Sequence, residues 1–299
     1  MNAEGLRARS RVLRAVRGWF DDHGYYEVPT PVLVPSPALE ENLFAVEAGG
    51  GWLRTSPEFA LKKVLAAGLP RIYEIAPCLR AREDGPWHAR EFLMLEWYRA
   101  GAELDDLMDE VEQLVAVACL AVARPCPERL RRVTVAELFA EVLGIDLTTA
   151  GIDDLVPGET SWDHAFFRRW VDDIEPTLTG AVFVSDWPAS QAALARVRTD
   201  RAWPTACRFE AYLEGVELAN AFLELTDPVE QRRRFVAAGD ARRDAGELPH
   251  PIDEALIDAV GRMPRTAGIA LGLDRLVAAV SGAASIHPYR VAAVAGPTS

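Results

Sequence analysis

Between residues 208 and 225 the chain reads RFEAYLEGVELANAFLEL, and in its second half Glu217, Asn220 and Glu224 are set among Val, Leu, Ala and Phe. The run reads as a hairpin turning at Glu214-Gly215. A carboxylate taken out of water is costly unless it is paired or binds a metal. A chain with this segment must therefore build a polar pocket against a sheet, or leave the segment as an edge strand with solvated acids. In a strand, side chains alternate between faces, so Asn220, Phe222 and Glu224 share one face. Glu217 is seven residues from Glu224 and falls on the other. Both carboxylates reach one pocket only if an extra residue interrupts the ladder, so the pattern predicts a bulge near Leu218-Ala219. Two carboxylates on apolar strands suit Mg²⁺ held between protein and triphosphate oxygens, which makes Glu217 and Glu224 the candidate metal ligands.

Two further segments repeat the theme. RIYEIAPCLR and EFLMLEWYRAG, joined by AREDGPWHAR, read as paired strands over 71–101. The two-residue period puts Phe92, Met94, Glu96 and Tyr98 on one face, and Leu93, Leu95 and Trp97 on the other. A carboxylate and a phenol thus project together from a strand whose back is core. Arg80 closes the first strand. By itself this could be a surface hairpin with an internal ion pair. Near the end, TAGIALGLDRLVAAVSG is a glycine-spaced strand entering a helix, with Arg275 one turn in. A helix N-terminus plus an arginine favours a phosphate. Gly268 and Gly272 allow a flat ring or phosphate to come close. Alone, this segment reads as ordinary helix capping.

The rest supplies a frame. A helix is expected over 6–23 and stops at Gly24, followed by the proline-rich extended stretch YYEVPTPVLVPSP. A short hairpin is expected over 39–54. A helix follows Ser56-Pro57 and ends at Gly68, another covers 103–122, and a charged one starts at Asp227-Pro228. Residues 123–200 offer helical pieces and one strand, VFVSDWP. No repeat or low-complexity linker divides residues 1–299, so a single domain is expected. No stretch is apolar enough to span a bilayer, and Arg residues break the N-terminus where a signal peptide needs an apolar run. Four cysteines with no CxxC spacing suggest neither zinc nor a disulfide framework and fit a reducing cytoplasm. The formal net charge of −13 argues against stable binding to nucleic acid, whose recognition rests on neutralising phosphates.

In this order the clusters resemble the three signature motifs of class II aminoacyl-tRNA synthetases: YYEVPTPVL, CLRAREDGPWHAREFLMLEWY and GIALGLDRL. TSPEFALKKVLAAG, MLEWYRAG and VELANAFLELTDP narrow the likeness to the lysyl branch. WPASQAALA and RMPRTAGIALGLDRL extend it over nearly the whole chain. Within that branch the chain resembles the truncated paralogues that attach (R)-β-lysine to a lysine of elongation factor P. The resemblance implies an α+β fold, an antiparallel sheet flanked by helices, with no anticodon-binding domain and with a homodimer formed through the first motif. It implies ATP and Mg²⁺ as reactant and cofactor, and elongation factor P as the acceptor.

The resemblance also implies roles, residue by residue. Ser56, Glu58, Glu96, Tyr98, Asn220, Phe222 and Glu224 would form the amino-acid site, with Ala270 at its wall. Arg80 would grip the α-phosphate and the substrate carboxylate, and Arg275 the γ-phosphate. Arg82, Glu83, His88, Phe92, Leu218 and Gly272 would contact ATP, with Glu217 holding its Mg²⁺. Four features depart from the family pattern. The usual Arg-Asn-Glu reads Arg80-Ala81-Arg82-Glu83, which displaces the acid by one. His-Asn-Pro-Glu-Phe reads His88-Ala89-Arg90-Glu91-Phe92. NGFHELTD reads NAFLELTD, with Ala221 and Leu223. The stretch PSPALEENLFAVE differs as well. These leave open a ligase for a different amino acid and acceptor, or a non-catalytic regulatory subunit; the latter class should lose its phosphate-gripping arginines first.

Overall fold

The computed structural model describes residues 2–40, 43–201 and 203–291. Among the described residues there are twelve strands: β1 (Tyr26–Glu27), β2 (Leu33–Val34), β3 (Val46–Ala48), β4 (Gly51–Leu53), β5 (Arg71–Leu79), β6 (Glu91–Ala100), β7 (Arg131–Thr134), β8 (Ala181–Pro188), β9 (Val197–Arg198), β10 (Thr205–Leu213), β11 (Val216–Leu223) and β12 (Thr266–Gly272). The α-helices are α1 (Ala3–Asp22), α2 (Glu58–Ala66), α3 (Leu104–Ala121), α4 (Val135–Leu143), α5 (Ile152–Leu155), α6 (Trp162–Arg169), α7 (Pro228–Asp244), α8 (Glu254–Val260) and α9 (Leu273–Val280). None is long and apolar enough to cross a membrane.

One sheet organises the molecule, in the order β1-β5-β6-β12-β11-β10-β8-β7, with β9 beside β10. The strands from β5 to β8 pair antiparallel, and only the outermost, β1 and β7, pair parallel. The alternation expected of residues 92–98 explains how the sheet packs. Leu95 and Trp97 join Ile269 and Leu271 on the face covered by α1, α3 and α9, which contribute Val12, Val16, Phe20, Val111, Leu114 and Val277. On α1 the apolar positions recur every four residues, one stripe of a 3.6-residue helix. The Asn2 side chain accepts the Glu4 N–H at its start, and Gly24 with φ +70° follows its end. Phe20 stacks on Tyr73 at 4.2 Å and meets the Trp97 edge at 5.6 Å, locking α1 to the sheet. Removing such a buried ring costs about 3–5 kcal/mol. With one face sealed, the opposite face of β6, β11 and β12 is the one free to carry polar groups.

The hairpin turn at Glu214 and Gly215 has both residues at positive φ, 51° and 75°, the two-residue loop whose twist matches paired strands. Counting register from it reveals the irregularity the parity argument demanded. Tyr212 faces Glu217 and Ala211 faces Ala219, so Leu218 is the extra residue of a bulge. Glu217 thereby turns to the side of Asn220 and Phe222. The helix after Ser56 begins one residue later than expected, with Pro57 flanking it and Ser56 Oγ accepting the Glu58 N–H at 3.0 Å. Residues 123–200 form more than the expected helices and one strand. They add β7, parallel to β8, and a second core of stacked aromatics around Phe139, Phe166, Trp170 and Trp187.

Candidate active site

Above the polar face of the sheet lies a cavity of about 360 Å³. Its inner end is acidic. Glu96 projects from β6, and both its oxygens are taken: Tyr98 Oη donates to one at 2.6 Å and Ser56 Oγ to the other at 2.7 Å. Beside it, Lys62 of α2 is buried between Glu58 at 2.6 Å and Glu224 at 2.7 Å. Two carboxylates therefore hold one ammonium, and Glu96 lies close enough to feel its charge. Burial, reinforced by the charge of Glu58, pushes the Glu96 carboxyl up to about 8. Glu224 is raised to about 7, chiefly by burial, with Lys62 opposing the rise. Burial alone would lower the Lys62 ammonium, but Glu224 and Glu58 hold it well above its ordinary value. Gly268 makes this crowding possible. A Cβ there would sit 2.3 Å from both a Glu224 oxygen and the Tyr98 ring. The close approach expected of this glycine is thus to the protein's own ring and carboxylate. Ser56, Glu58, Asn220, Phe222 and Ala270 line the cavity directly. Glu96, Tyr98 and Glu224 lie outside its lining, with Ser56 Oγ on Glu96.

The outer end is basic and built from loops and a helix start. Arg80, just after β5, donates to Glu83 at 3.0 Å and to the Thr55 carbonyl at 3.3 Å, with its guanidinium 5.1 Å from the Phe92 ring centre. Arg275, in the first turn of α9, donates to the carbonyls of Trp87 at 3.1 Å and Glu217 at 2.9 Å. It also meets the Glu217 carboxylate at 3.2 Å and the His88 ring at 2.6 Å. Burial, and then the Arg275 charge, hold His88 below its usual value. Glu83, His88, Phe92, Leu218 and Gly272 share this end of the cavity. A Cβ on Gly272 would lie 3.2 Å from Arg275 Cδ, so its smallness serves the arginine.

Two assignments are corrected by position. Arg82 does not line the cavity: it points to Glu247 at 2.7 Å and covers the Phe44 ring at 3.7 Å. Glu83, one position further on, is the residue that meets Arg80. The carboxylate pair Glu217 and Glu224 cannot share an ion, because seven residues of strand separate them by roughly 20 Å and Glu224 is bound to Lys62. The partner of Glu217 is Glu210. It sits on β10 opposite Asn220, two residues from the Tyr212–Glu217 pair. Burial raises Glu210 to about 7, the Arg208 charge opposes the rise, and the Glu217 charge adds to it. Among the described residues no group of three or more His, Cys, Asp or Glu is placed to hold a metal. An ion between Glu210 and Glu217 would have to take its other ligands from solvent or a bound molecule, as Mg²⁺ habitually does. Register counted from the Glu214-Gly215 turn is the sequence signal that finds Glu210. For Lys62 the sequence offers only its spacing of one helical turn from Glu58. Leu223, one of the departures, is buried in the main core and faces away from the site.

An antiparallel sheet with an arginine just past one strand, a second in the first turn of a helix, and a hairpin of carboxylates between them defines a class of ligase. The chain belongs to it: the profile of the family "tRNA synthetases class II (D, K and N)" matches residues 1–291. Among curated proteins it is 37% identical to the elongation factor P–(R)-β-lysine ligase of Vibrio cholerae, covering 91% of this chain and 90% of that one. It is similarly related to the proteins of the same name in Edwardsiella ictaluri, at 36% identity over 91% and 89%, and in Pseudoalteromonas translucida, at 37% over 91% and 90%.

Proposed function

We propose that the protein is an AMP-forming ligase that activates lysine or (R)-β-lysine with ATP and passes it to a lysine side chain of elongation factor P. The observation that carries this reading is the polarity of the cavity, acidic at the inner end and arginine-lined at the outer. Three carboxyl groups against one lysine can supply negative charge to a substrate bearing two ammonium groups, Glu96 by releasing its proton as an ammonium arrives. Ala270 lies opposite Glu96 in the sheet, and its methyl narrows that end; such a group discriminates by about 1–3 kcal/mol.

In the reaction the amino-acid carboxylate attacks the α-phosphorus of ATP in line and pyrophosphate leaves. A carboxylate is already ionised, so no general base is required. The protein aligns the reactants and offsets the developing charge, with Arg80 at the junction of the two substrates and Arg275 along the phosphates. Glu210 and Glu217 are the residues that would hold Mg²⁺, because the Glu217 charge adds to the rise that burial imposes on Glu210, and a cation would relieve that repulsion. The ion would neutralise phosphate oxygens when bound. The acceptor amine then attacks the acyl carbon, AMP departs, and the amine loses a proton to solvent.

The charge of −13 favours a protein acceptor over stable tRNA binding, and a translation factor as acceptor places the reaction in the cytoplasm. Tyr26, Val32 and Leu33 in the first motif are apolar and exposed, at 60%, 38% and 50%. A second copy is the proposed occupant of that edge. ATP–pyrophosphate exchange with α-lysine, (R)-β-lysine and a panel of amino acids tests the activation step. Exchange strongest with a lysine isomer, followed by a one-residue mass gain on elongation factor P, is expected. Exchange driven by an unrelated amino acid would reject the substrate, and none at all would reject the enzyme.

A further inference from the structure

Arg208 of β10 does not line the cavity, yet every nitrogen of its guanidinium is engaged next to it. Nε donates to Asn220 Oδ1 at 3.0 Å, and one terminal nitrogen donates to the Gln191 carbonyl at 3.0 Å. The other donates to the Glu210 carboxylate. The plate lies 4.6 Å from the Trp187 ring centre and 5.9 Å from that of Phe222, and the side chain is only 12% exposed. Its five N–H groups diverge in one plane, so three fixed acceptors and two flanking rings leave a single orientation.

This has a consequence for Asn220. An amide presents an acceptor at one corner and donors at the other, and which way it points follows from its partners. Arginine can only donate and does not lose its proton in proteins. The Asn220 atom against Arg208 is therefore the oxygen. Asn220 also lines the cavity, so the group it offers there is the NH₂.

We propose that Arg208 is a positioning residue that makes Asn220 an obligate hydrogen-bond donor toward the carboxylate of the amino-acid substrate. Selection for a carboxylate then depends on a side chain that the substrate does not touch. The inference rests on reading this cavity as the amino-acid site. Lysine is no substitute for Arg208, since one ammonium cannot span three acceptors in a plane.

The test compares calorimetric affinity for the lysine isomer that wild type binds more tightly with affinity for its amino alcohol, in which CH₂OH replaces the carboxylate. Wild type should prefer the carboxylate. Arg208→Lys should weaken binding of the amino acid by about tenfold or more, the size expected for a hydrogen bond to a charged group. Binding of the amino alcohol should change less than about twofold on the same scale. Asn220→Ala should behave alike, and combining the two should cost no more than either alone. Losses that multiply, or that strike both ligands equally, would show that Arg208 only supports the fold and would overturn the proposal. Asn220→Asp guards against misfolding, since its carboxylate keeps a partner in Arg208. It should lose the amino acid by about 100-fold and keep the amino alcohol; unchanged amino-acid affinity overturns the proposal. A wild type that binds the two ligands equally overturns it too. A wild type that prefers the carboxylate but fails to catalyse exchange removes the ligase reading and leaves the role of Arg208 standing.

Discussion

The two ends of the cavity are built on different principles. At the inner end, Glu96, Glu58 and Glu224 project from strands and a helix start, and each is tied to another side chain: Tyr98, Ser56 or Lys62. At the outer end, Arg80 and Arg275 are held by backbone carbonyls, those of Thr55, Trp87 and Glu217, and each also meets one carboxylate, Glu83 or Glu217. Side-chain partners on rigid elements fix a shape, which suits the recognition of a small diamine. Carbonyl partners fix an arginine without neutralising it, and an incoming phosphate competes only with the single carboxylate that each one meets. The inner end should therefore respond to mutation in stability and in amino-acid KM, and the outer end in turnover.

The largest effect is expected at Lys62. Replacing it by Met leaves Glu58 and Glu224 buried without their cation, and breaking a buried pair costs about 3–5 kcal/mol. Urea unfolding should show that loss, and a midpoint equal to wild type would mean that the inner end is less tightly coupled than the ion pairs indicate. Arg275→Ala comes next. Pyrophosphate exchange should fall by about 10²–10³, the scale for removing one preorganised charge-stabilising donor, with the urea midpoint nearly unchanged. A fall in stability matching the fall in rate would erase the contrast between the two ends.

Glu96→Gln is expected to raise the amino-acid KM by about 10–100-fold, the worth of a charged hydrogen bond, leaving the ATP KM as it was. Its pH behaviour sharpens the point. The folded-state value of about 8 lies above the ordinary value of 4.5, so the unbound carboxyl is protonated below pH 8 and must ionise to pair with an ammonium. The amino-acid KM should then fall as pH rises toward 8 and level off above it, and the Gln variant should lose that slope. Stability runs the opposite way. The contribution of this carboxyl is complete below pH 4.5 and is lost as pH rises through 8, so the urea midpoint of wild type relative to Glu96→Gln should decline over that window. The smallest effect is expected for Arg82→Ala. Its exposed pair with Glu247 contributes about 0–1 kcal/mol, and exchange should remain within about twofold of wild type on that same scale. A large loss would return Arg82 to the nucleotide.

Much of this site was legible in one dimension. The alternation over 92–98 identified which face of β6 is core, because strand geometry carries a period of two whatever surrounds it. The parity mismatch between Glu217 and Asn220 located the bulge at Leu218 for the same reason. Gly24, Gly68 and the Glu214-Gly215 turn sat where left-handed backbone or chain reversal is needed, and local sterics alone decide that. The order of the three motifs carried the family, which the profile match over residues 1–291 bears out.

What the linear order could not supply were partners brought together across the fold. Lys62 stands one helical turn from Glu58, which the spacing shows, but only the packing of α2 against the sheet brings Glu224 to its other side. Glu210 looks like a strand residue among others until the hairpin register sets it beside Glu217, while Glu224, which reads as its equal, is carried some 20 Å away by the rise of the strand. The outward turn of Arg82 and the orientation of Asn220 likewise depend on Glu247 and Arg208, distant in sequence or on another strand. Backbone period and turn chemistry are local and survive in the sequence. Ion pairing and hydrogen-bond polarity depend on which side chains meet, and that is decided only when the sheet closes over its helices.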